Sequence, residues 1–323
     1  MAYKKPNRYL SFRIKKSQPG QFRDIKAPAR GLKRLQQLLL LCFTASFPHI
    51  DKSAHGFVSG RSVLTNAKPH AGRRFVFNTD IKEFFPSTTI GRVAKMLQLP
   101  PISMSATVAG LVANICCDAG SLPQGAPTSP FLTNLVCQRL DRKLRQLAAE
   151  HHCCYTRYAD DITFSSNRRI SLNLRHAIGL VLQADDYTQH EKKIRLQTRS
   201  MRQEVTGVIV NQHPNVSREY RRAVRAALHQ WQHHCPQEIA QTHLLPSRDP
   251  NGPIPPAQSP PQPLKVLSGK IAYLGMIRGS TDALYLAMAT KLASLTNKDF
   301  SELLEELKLE EIIAQLEKLE QAR

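Results

Sequence analysis

Apolar positions change their spacing along the chain. Near the beginning, short runs over 13–16 and 22–26 flank the turn signal Gln18-Pro19-Gly20, which predicts a β-hairpin. In the middle, short apolar runs typical of buried strands alternate with stretches of helical period. Beyond residue 216 the period is mainly helical. The pattern therefore predicts an α+β centre followed by a helical C-terminal part.

The individual elements follow from the same pattern. Helices are predicted at 32–47, 90–97, 106–117, 128–149, 172–184, 218–232, 239–244, 264–277, 283–295 and 301–322. Strands are predicted at 75–80, 153–157, 162–166, 193–197 and 204–210. Residues 54–74 show no clear period and are expected to form a loop with short elements. Residues 246–263 hold eight prolines and are expected to form a stiff, exposed linker.

The charge of the chain is large and unevenly spread. The formal net charge is +20, whereas residues 298–323 carry eight acids and four bases, which leaves +24 on residues 1–297. Nucleic acid is the usual partner of such a basic body, although a generic basic surface is an alternative. A hydrophobic content of 41% excludes a wholly disordered chain.

The cysteines and the apolar runs predict a cytoplasmic protein that is not inserted in a membrane. Seven cysteines, an odd number without a C-x-x-C pattern, fit neither a disulfide framework nor a zinc site. Reduced thiols are typical of cytosolic proteins. The longest apolar run, from Leu38 to Phe43, is too short to span a bilayer, and the first residues lack the apolar core of a signal peptide.

Two acidic elements carry the candidate chemistry. Asp80 ends the predicted strand 75–80, and Asp160 with Asp161 lies at the tip of the hairpin predicted from 153–166. Adjacent acids in an apolar β-setting need a compensating positive charge, and Mg²⁺ prefers carboxylate oxygens. Polymerases use two such ions for phosphoryl transfer. Taken singly, each acid has an ordinary alternative as a solvated turn or a helix cap.

A third element precedes the long helix predicted at 128–149. It reads Leu-Pro-Gln-Gly-Ala-Pro-Thr-Ser-Pro over 122–130. Gly125 permits a close backbone approach, and the loop leads into a helix N-terminus, where a nucleotide and its template base could rest. An ordinary turn before a capped helix is the alternative.

Together these stretches resemble a known family. "TDIKEFFPS", "LPQGAPTSP" and "YTRYADDITFS" resemble motifs A, B and C of the palm of reverse transcriptases. The resemblance implies that Asp80, Asp160 and Asp161 are catalytic and, with Ile81, bind two Mg²⁺ ions. It also implies a nucleotide site in which Phe85 excludes ribonucleotides. The nucleotide-binding residues that it implies are Phe85, Gln124, Gly125, Tyr158, Arg23 and Lys193.

Two further stretches resemble retron reverse transcriptases in particular. "NAKPH" over 66–70 is similar to their N-A-x-x-H element, and "VTG" over 205–207 to their V-T-G element. The resemblance makes five residues candidate RNA contacts: Asn66, His70, Val205, Thr206 and Gly207. Alternatively, Asn66 and His70 only fix a loop by local hydrogen bonds. The chain departs from the family at motif D, where Lys193 is present without the usual Asn and Thr.

The resemblance implies an α+β, right-hand polymerase fold with fingers, palm and a helical thumb. Its expected divisions are fingers with the N-A-x-x-H region (1–74), palm with interleaved fingers helices (75–215), thumb with the proline-rich insertion 246–263 (216–297) and an acidic amphipathic C-terminal helix (298–323).

The implied function is that of a retron enzyme. Such an enzyme uses dNTPs to copy part of a cognate non-coding RNA into single-stranded DNA, branched from an RNA 2′-hydroxyl, in anti-phage defence. The C-terminal helix would pack on the thumb or bind a toxic effector or a second copy. The alternatives are a group II-like or abortive-infection reverse transcriptase, an RNA-dependent RNA polymerase, or an RNA-binding protein with an inactive palm.

Overall fold

The computed structural model describes residues 8–15, 22–47, 49–233 and 263–296, together with Ser301, Glu302 and Glu305. The strands in these ranges are β1 (Tyr9–Lys15), β2 (Phe22–Pro28), β3 (Phe75–Asp80), β4 (Cys154–Tyr158), β5 (Asp161–Ser166), β6 (Arg195–Thr198), β7 (Glu204–Val205) and β8 (Val208–Ile209). The helices are α1 (Arg30–Ser46), α2 (Val63–Ala67), α3 (Ile90–Gln98), α4 (Ala106–Cys116), α5 (Ser129–Val136), α6 (Gln138–Glu150), α7 (Leu172–Ala184), α8 (Arg218–His233), α9 (Pro263–Arg278) and α10 (Ala283–Thr296). None of the described helices is long and apolar enough to cross a membrane.

The centre of the molecule is a four-stranded antiparallel sheet with the order β4-β5-β3-β6. In its middle, Phe77 of β3 faces Phe164 of β5 in register, and both side chains are fully buried. They belong to one cluster of buried side chains with Leu140 and Leu144 of α6. Burial of this apolar surface is the main stabilising contribution to the sheet.

The hairpin of β1 and β2 is attached to a second cluster of buried side chains. This cluster joins α1, α3, α4 and α5, and in it Phe43 stacks on Phe131 with ring centroids 5.9 Å apart. Gln36 of α1 donates hydrogen bonds to the Tyr9 hydroxyl and to the Ile115 carbonyl. Polar contacts thus tie the hairpin to the helices beside the sheet.

Helices α8, α9 and α10 pack on one another and extend the cluster that holds the sheet. Val224 and Leu228 of α8, Ile271 of α9 and Leu292 of α10 are its buried members here. The helical part that the sequence predicts beyond residue 216 is therefore confirmed for 218–233 and 263–296. The predictions at 239–244 and 246–262, nearly all of 301–322, and the turn at 18–20 lie outside the described residues.

Three predicted elements were wrong in detail. The helix predicted at 128–149 is two helices separated at Cys137, whose ψ of −6° departs from the helical value. The strand predicted at 204–210 is a tight hairpin, β7–β8, that turns at Thr206 and Gly207 with φ of 46° and 82°. The strand predicted at 193–197 begins only at Arg195, because Glu191–Lys193 forms a 3₁₀ turn.

Candidate active site

Strand pairing brings the three acids of the sequence prediction to one end of the sheet. Asp80, the last residue of β3, lies opposite Asp161, the first residue of β5. Asp160 belongs to the turn between β4 and β5, and its carbonyl accepts a hydrogen bond of 3.0 Å from the Ile81 amide. Residues that are distant in the sequence therefore share one short stretch of antiparallel sheet.

A buried arginine forms a hydrogen bond to the turn that carries Asp160. Arg157, fully buried in β4, donates to the Ala159 carbonyl at 3.0 Å and to both carboxylate oxygens of Asp141 on α6. Ala159 has a φ of 54°, a conformation that costs energy in an L-residue. The contacts of Arg157 thus hold the turn in this backbone conformation.

Burial and mutual repulsion raise the pKa values of Asp160 and Asp161 at the acidic end. Desolvation and the charge of Asp80 raise the pKa of Asp160 to about 6. Desolvation, Asp160 and Asp80 likewise raise the pKa of Asp161 well above its usual value. Because the side chain of Asp161 is exposed to solvent, its repulsion by the other two carboxylates is the cause that matters more. The three groups favour a nearby positive charge.

Lys193 supplies one such charge. Its ammonium group lies 2.6 Å from Oδ2 of the buried Asp80. Partial burial lowers the lysine pKa, but the hydrogen bond to Asp80 and the attraction of the three acids outweigh it and raise the pKa. The 3₁₀ turn Glu191–Lys193 is placed by the His190 amide, which donates to the Asp80 carbonyl. The sequence-predicted Lys193 is therefore directly at the acids.

The carboxylate oxygens suit a divalent cation, but they are not arranged to enclose one. Within the part of the chain that the structure describes, no group of three or more His, Cys, Asp or Glu residues is arranged to hold a metal ion. The neighbouring carboxylates nevertheless offer the hard oxygen ligands that Mg²⁺ prefers, and a cation would relieve their repulsion. Ile81 is buried and apolar, so only its backbone carbonyl has an oxygen to offer.

Of the residues predicted to bind a nucleotide, Arg23 and Tyr158 lie near the acidic end of the sheet, and Phe85 lies against an aromatic neighbour. Arg23 of β2 is close enough for its charge to lower the Asp160 pKa against the larger opposing causes. Phe85 is half-buried and contacts the Phe84 ring, at 5.4 Å between centroids. Tyr158, the last residue of β4, is buried beside the turn.

The loop over 122–130 closely approaches the hairpin β1–β2. At Gly125, with a φ of 122°, a Cβ would lie 2.9 Å from both Ile25 Cγ2 and the Lys26 carbonyl oxygen. The Lys26 amide donates to the Gln124 carbonyl at 2.8 Å. Because glycine alone tolerates both the angle and the contact, Gly125 lets the hairpin β1–β2 dock on this loop.

The N-A-x-x-H and V-T-G elements contact each other. Asn66 is fully buried and donates to Thr206 Oγ1 at 3.2 Å. His70 is also fully buried, and its ring nitrogens lie 2.7 Å from Ser165 Oγ and 2.8 Å from Thr156 Oγ1. Val205 is buried, whereas Thr206 is half-buried and Gly207 exposed. Of these five residues, therefore, only the hairpin turn presents surface to a ligand.

Comparison with known proteins identifies the family. Residues 14–202 match the family model described as "Reverse transcriptase (RNA-dependent DNA polymerase)". The Retron Ec86 reverse transcriptase of Escherichia coli is 32% identical over 225 residues, which are 69% of each chain. The chain belongs to the retron reverse transcriptases. The right-hand polymerase fold inferred from the sequence follows from this membership.

The chain spans somewhat more than half the length of two relatives from Myxococcus xanthus. The Retron Mx65 enzyme is 38% identical over 73% of the chain, and the Retron Mx162 enzyme 35% identical over 68%. The chain covers 59% and 52% of their respective lengths. A solved structure of telomerase from Candida tropicalis aligns with 66% of the chain and 56% of its own length. The TM-score is 0.45 and the sequence identity is 12%, too low for this likeness to support a functional conclusion.

Some residues that support the acidic end of the sheet were not singled out from the sequence. Arg157 and Asp141 support the acidic turn, and Gly56 packs against it, since a Cβ there would lie 2.6 Å from the Ala159 amide nitrogen. An arginine at the end of an otherwise buried strand was the available signal. Nothing local in the sequence marks Asp141 or Gly56, because each acquires its role only through a partner distant in the chain.

Proposed function

We propose that this chain is the RNA-directed DNA polymerase of a retron, which uses dNTPs to copy part of a cognate non-coding RNA into single-stranded DNA. The observation that carries the proposal is the pairing of Asp80 with Asp161 beside Asp160 in a member of this family. Asp80, Asp160, Asp161 and the Ile81 carbonyl would hold two Mg²⁺ ions. When bound, such ions activate the attacking hydroxyl and stabilise the triphosphate.

The remaining residues of the site have separate tasks in this proposal. Phe85 forms the wall that meets the 2′ position of the incoming sugar and excludes ribonucleotides. Arg23 and Lys193 supply positive charge to the triphosphate and to the leaving pyrophosphate, which is the role such cations have in phosphoryl transfer. Gln124, Gly125 and Tyr158 shape the place of the nucleotide. In this proposal the fingers end at residue 74, the palm at residue 215 and the thumb at residue 297.

Recognition of the RNA is assigned to the surface beside the β7–β8 hairpin. A cavity of about 390 Å³ there is lined by Arg199, Arg202, Arg218 and Arg221. Arginine presents a planar fork of donors that suits phosphate oxygens. Thr206 and Gly207 lie at the turn of this hairpin, and Asn66 supports the turn from the interior through Thr206. His70 is held by hydroxyl groups of β4 and β5. This arrangement favours contact with a folded RNA through its backbone.

The finer parts of the proposal rest on membership of the retron group. They are synthesis from an RNA 2′-hydroxyl, which gives a branched RNA–DNA product, and a role in anti-phage defence. The named relatives are retron reverse transcriptases. The branch and the defence role are what the retron resemblance of the sequence implies. A contact of the C-terminal segment with an effector remains a prediction, since nearly all of 298–323 lies outside the described residues.

The test is DNA synthesis by the protein purified with its own RNA. Replacement of both Asp160 and Asp161 by Asn should reduce incorporation of labelled dNTPs by about 10²-fold or more, because negative charge at the metal site is lost. RNA binding should stay within about threefold. Glu150→Gln, at an exposed acid, is the control. Activity that survives the double replacement would overturn the assignment of these carboxylates.

The structure of the product separates a retron enzyme from another reverse transcriptase. A retron product keeps a short ribonucleotide remnant attached to the DNA 5′ end through a 2′ oxygen after RNase digestion. DNA extended from an ordinary 3′-hydroxyl primer, without a branch, would favour a group II-like or abortive-infection enzyme.

A further inference from the structure

Phe85, the proposed selecting residue, contacts a second aromatic ring besides Phe84. The Phe57 ring lies 6.2 Å from it between centroids, with the two planes inclined by 52°. Phe57 belongs to the segment that precedes α2, far from Phe85 in the sequence. Phe57 is 39% exposed, more than is usual for a phenylalanine.

The backbone of Phe57 is in an unfavourable conformation. Its φ is 60°, in the left-handed region, where a bulky residue is an outlier. Such conformations persist only where the surrounding structure fixes them, and they cluster at functional sites. A glycine or asparagine at this position would avoid the cost.

The neighbours of Phe57 provide that fixation, and they belong to the acidic turn. The His55 amide donates to the Arg157 carbonyl at 2.7 Å. The Gly56 carbonyl accepts from Asn134 Nδ2 at 2.9 Å, and the Gly56 Cα packs against the backbone of Tyr158 and Ala159. Residues 55–57 therefore form a rigid link between the turn that carries Asp160 and the Phe85 ring.

We propose that Phe57 is a positioning residue for nucleotide selection. Its ring backs the Phe85 ring and prevents it from moving away from the 2′ position of the incoming sugar. The site accepts a strained backbone at 57 because this is the conformation that directs the ring onto Phe85. The inference rests on the proposed function, in which Phe85 discriminates deoxynucleotides from ribonucleotides.

The experiment compares Phe57→Ala, Phe57→Gly and Phe57→Tyr with the parent protein on an RNA template and annealed DNA primer. The readout is the ratio of kcat/KM for dCTP to that for CTP. Phe85→Ala tests the proposed function itself, and Leu172→Ala, at a 72% exposed apolar residue of α7, is the control. Thermal unfolding of every variant is recorded.

Loss of the ring should lower discrimination by about threefold to tenfold in both the Ala and the Gly variants, the range that a lost aromatic pair supports. The Tyr variant and the control should discriminate as the parent does. Stability should distinguish the Ala variant from the Gly variant. The Gly variant should unfold at the higher temperature, which is the reverse of the usual order. Ring position and backbone strain are thus measured independently.

Three results would overturn the inference. If Phe85→Ala relaxes discrimination but Phe57→Ala and Phe57→Gly do not, Phe57 has no positioning role while the proposed role of Phe85 stands. If Phe85→Ala leaves discrimination unchanged, the proposed selection mechanism and this inference fail together. If the Ala variant is as stable as the Gly variant, the backbone at 57 is not strained. The inference that function maintains a strained conformation there then fails.

Discussion

His70 is a titratable side chain held entirely by hydroxyl groups of the sheet. Its two ring nitrogens meet Ser165 of β5 and Thr156 of β4, and the residue is fully buried. Desolvation, with smaller effects of His55 and Arg73, lowers its pKa to about 3. The neutral imidazole is therefore part of the fold, and its protonation would place an uncompensated charge in the interior.

This burial predicts a pH dependence of stability. The pKa of His70 is lower in the folded state than in the unfolded state, so its contribution is fully present above about pH 6.5 and is lost as the pH falls toward 3. As the pH decreases below about 6.5, the unfolding free energy of the parent should decrease. Its slope should be steeper than that of His70→Gln by about 1.4 kcal/mol per pH unit. Urea unfolding at several pH values between 5 and 7 measures this slope.

Two comparisons make the pH result specific. The pKa of His55 is also lowered, to about 4, mainly by desolvation, so the variant should retain part of the slope. His176→Gln, at an exposed position of α7, is the control. Equal slopes for the parent and His70→Gln would show that His70 does not stay neutral in the folded protein.

At the scale of elements, one buried ion pair joins a helix to the strand that leads into the acidic turn. Arg157 of β4 and Asp141 of α6 are both fully buried and share two hydrogen bonds of 2.8 and 2.7 Å. The Tyr155 hydroxyl donates to the same carboxylate at 2.7 Å. Every strong donor here has its acceptor, which is the condition under which a buried pair is tolerated.

Removal of one partner should be far more costly than removal of both. Asp141→Ala leaves the Arg157 charge buried and should lower the unfolding free energy by about 3–5 kcal/mol. The double variant Asp141→Leu with Arg157→Met should recover most of this loss, because neither charge then remains. Chemical denaturation measures both values.

The control for this pair lies on the same helix. Lys143 of α6 forms a partly exposed ion pair with Asp185, at 2.9 Å. Lys143→Ala should cost about 1 kcal/mol or less, because solvent screens the pair. A loss for Asp141→Ala no larger than that of the control would mean that Arg157 keeps another partner or reaches water.

At the scale of the whole molecule, the positive charge should govern RNA binding. The net charge is +20, and four arginines line the cavity beside β7–β8. Basic side chains on phosphates release counterions, so affinity falls steeply as salt rises. A protein that contacts about six phosphates loses on the order of 10³-fold in affinity between about 50 and 200 mM salt.

The salt dependence distinguishes a local site from the general charge. Replacement of Arg199, Arg218 and Arg221 by Ala should reduce the slope of log affinity against log salt by about 2 to 3, roughly one for each lost phosphate contact. The control variant replaces the exposed Arg142, Arg168 and Arg169, which removes the same net charge. Binding of the cognate RNA measured across salt concentrations gives both slopes, and equal losses would argue against a special role of the cavity.

The types of most elements were predictable because helical and strand periods are local properties of the chain. The predicted strand 75–80 and the helix 172–184 match β3 and α7. The break at Cys137 was not predictable, since the helical pattern continues through it. In the fold, Cys137 Sγ lies 3.3 Å from the hydroxyl of the distant Tyr187. The β7–β8 turn was missed because Thr206 adopts a positive φ that its residue type does not announce.

By itself the sequence determined which residues could do chemistry: acids at strand ends, a glycine before a helix, an aromatic after Asp80. Only the tertiary structure decided which of them meet. Antiparallel pairing of β3 with β5 sets Asp80 opposite Asp161. The packing of residues 66–70 and of α6 against the sheet buries His70 and Arg157, polar residues that composition would assign to the surface. The physical reason is that a period encodes the face a residue takes within its own element, whereas the cost or gain of a charge depends on partners that only the packing of distant elements supplies.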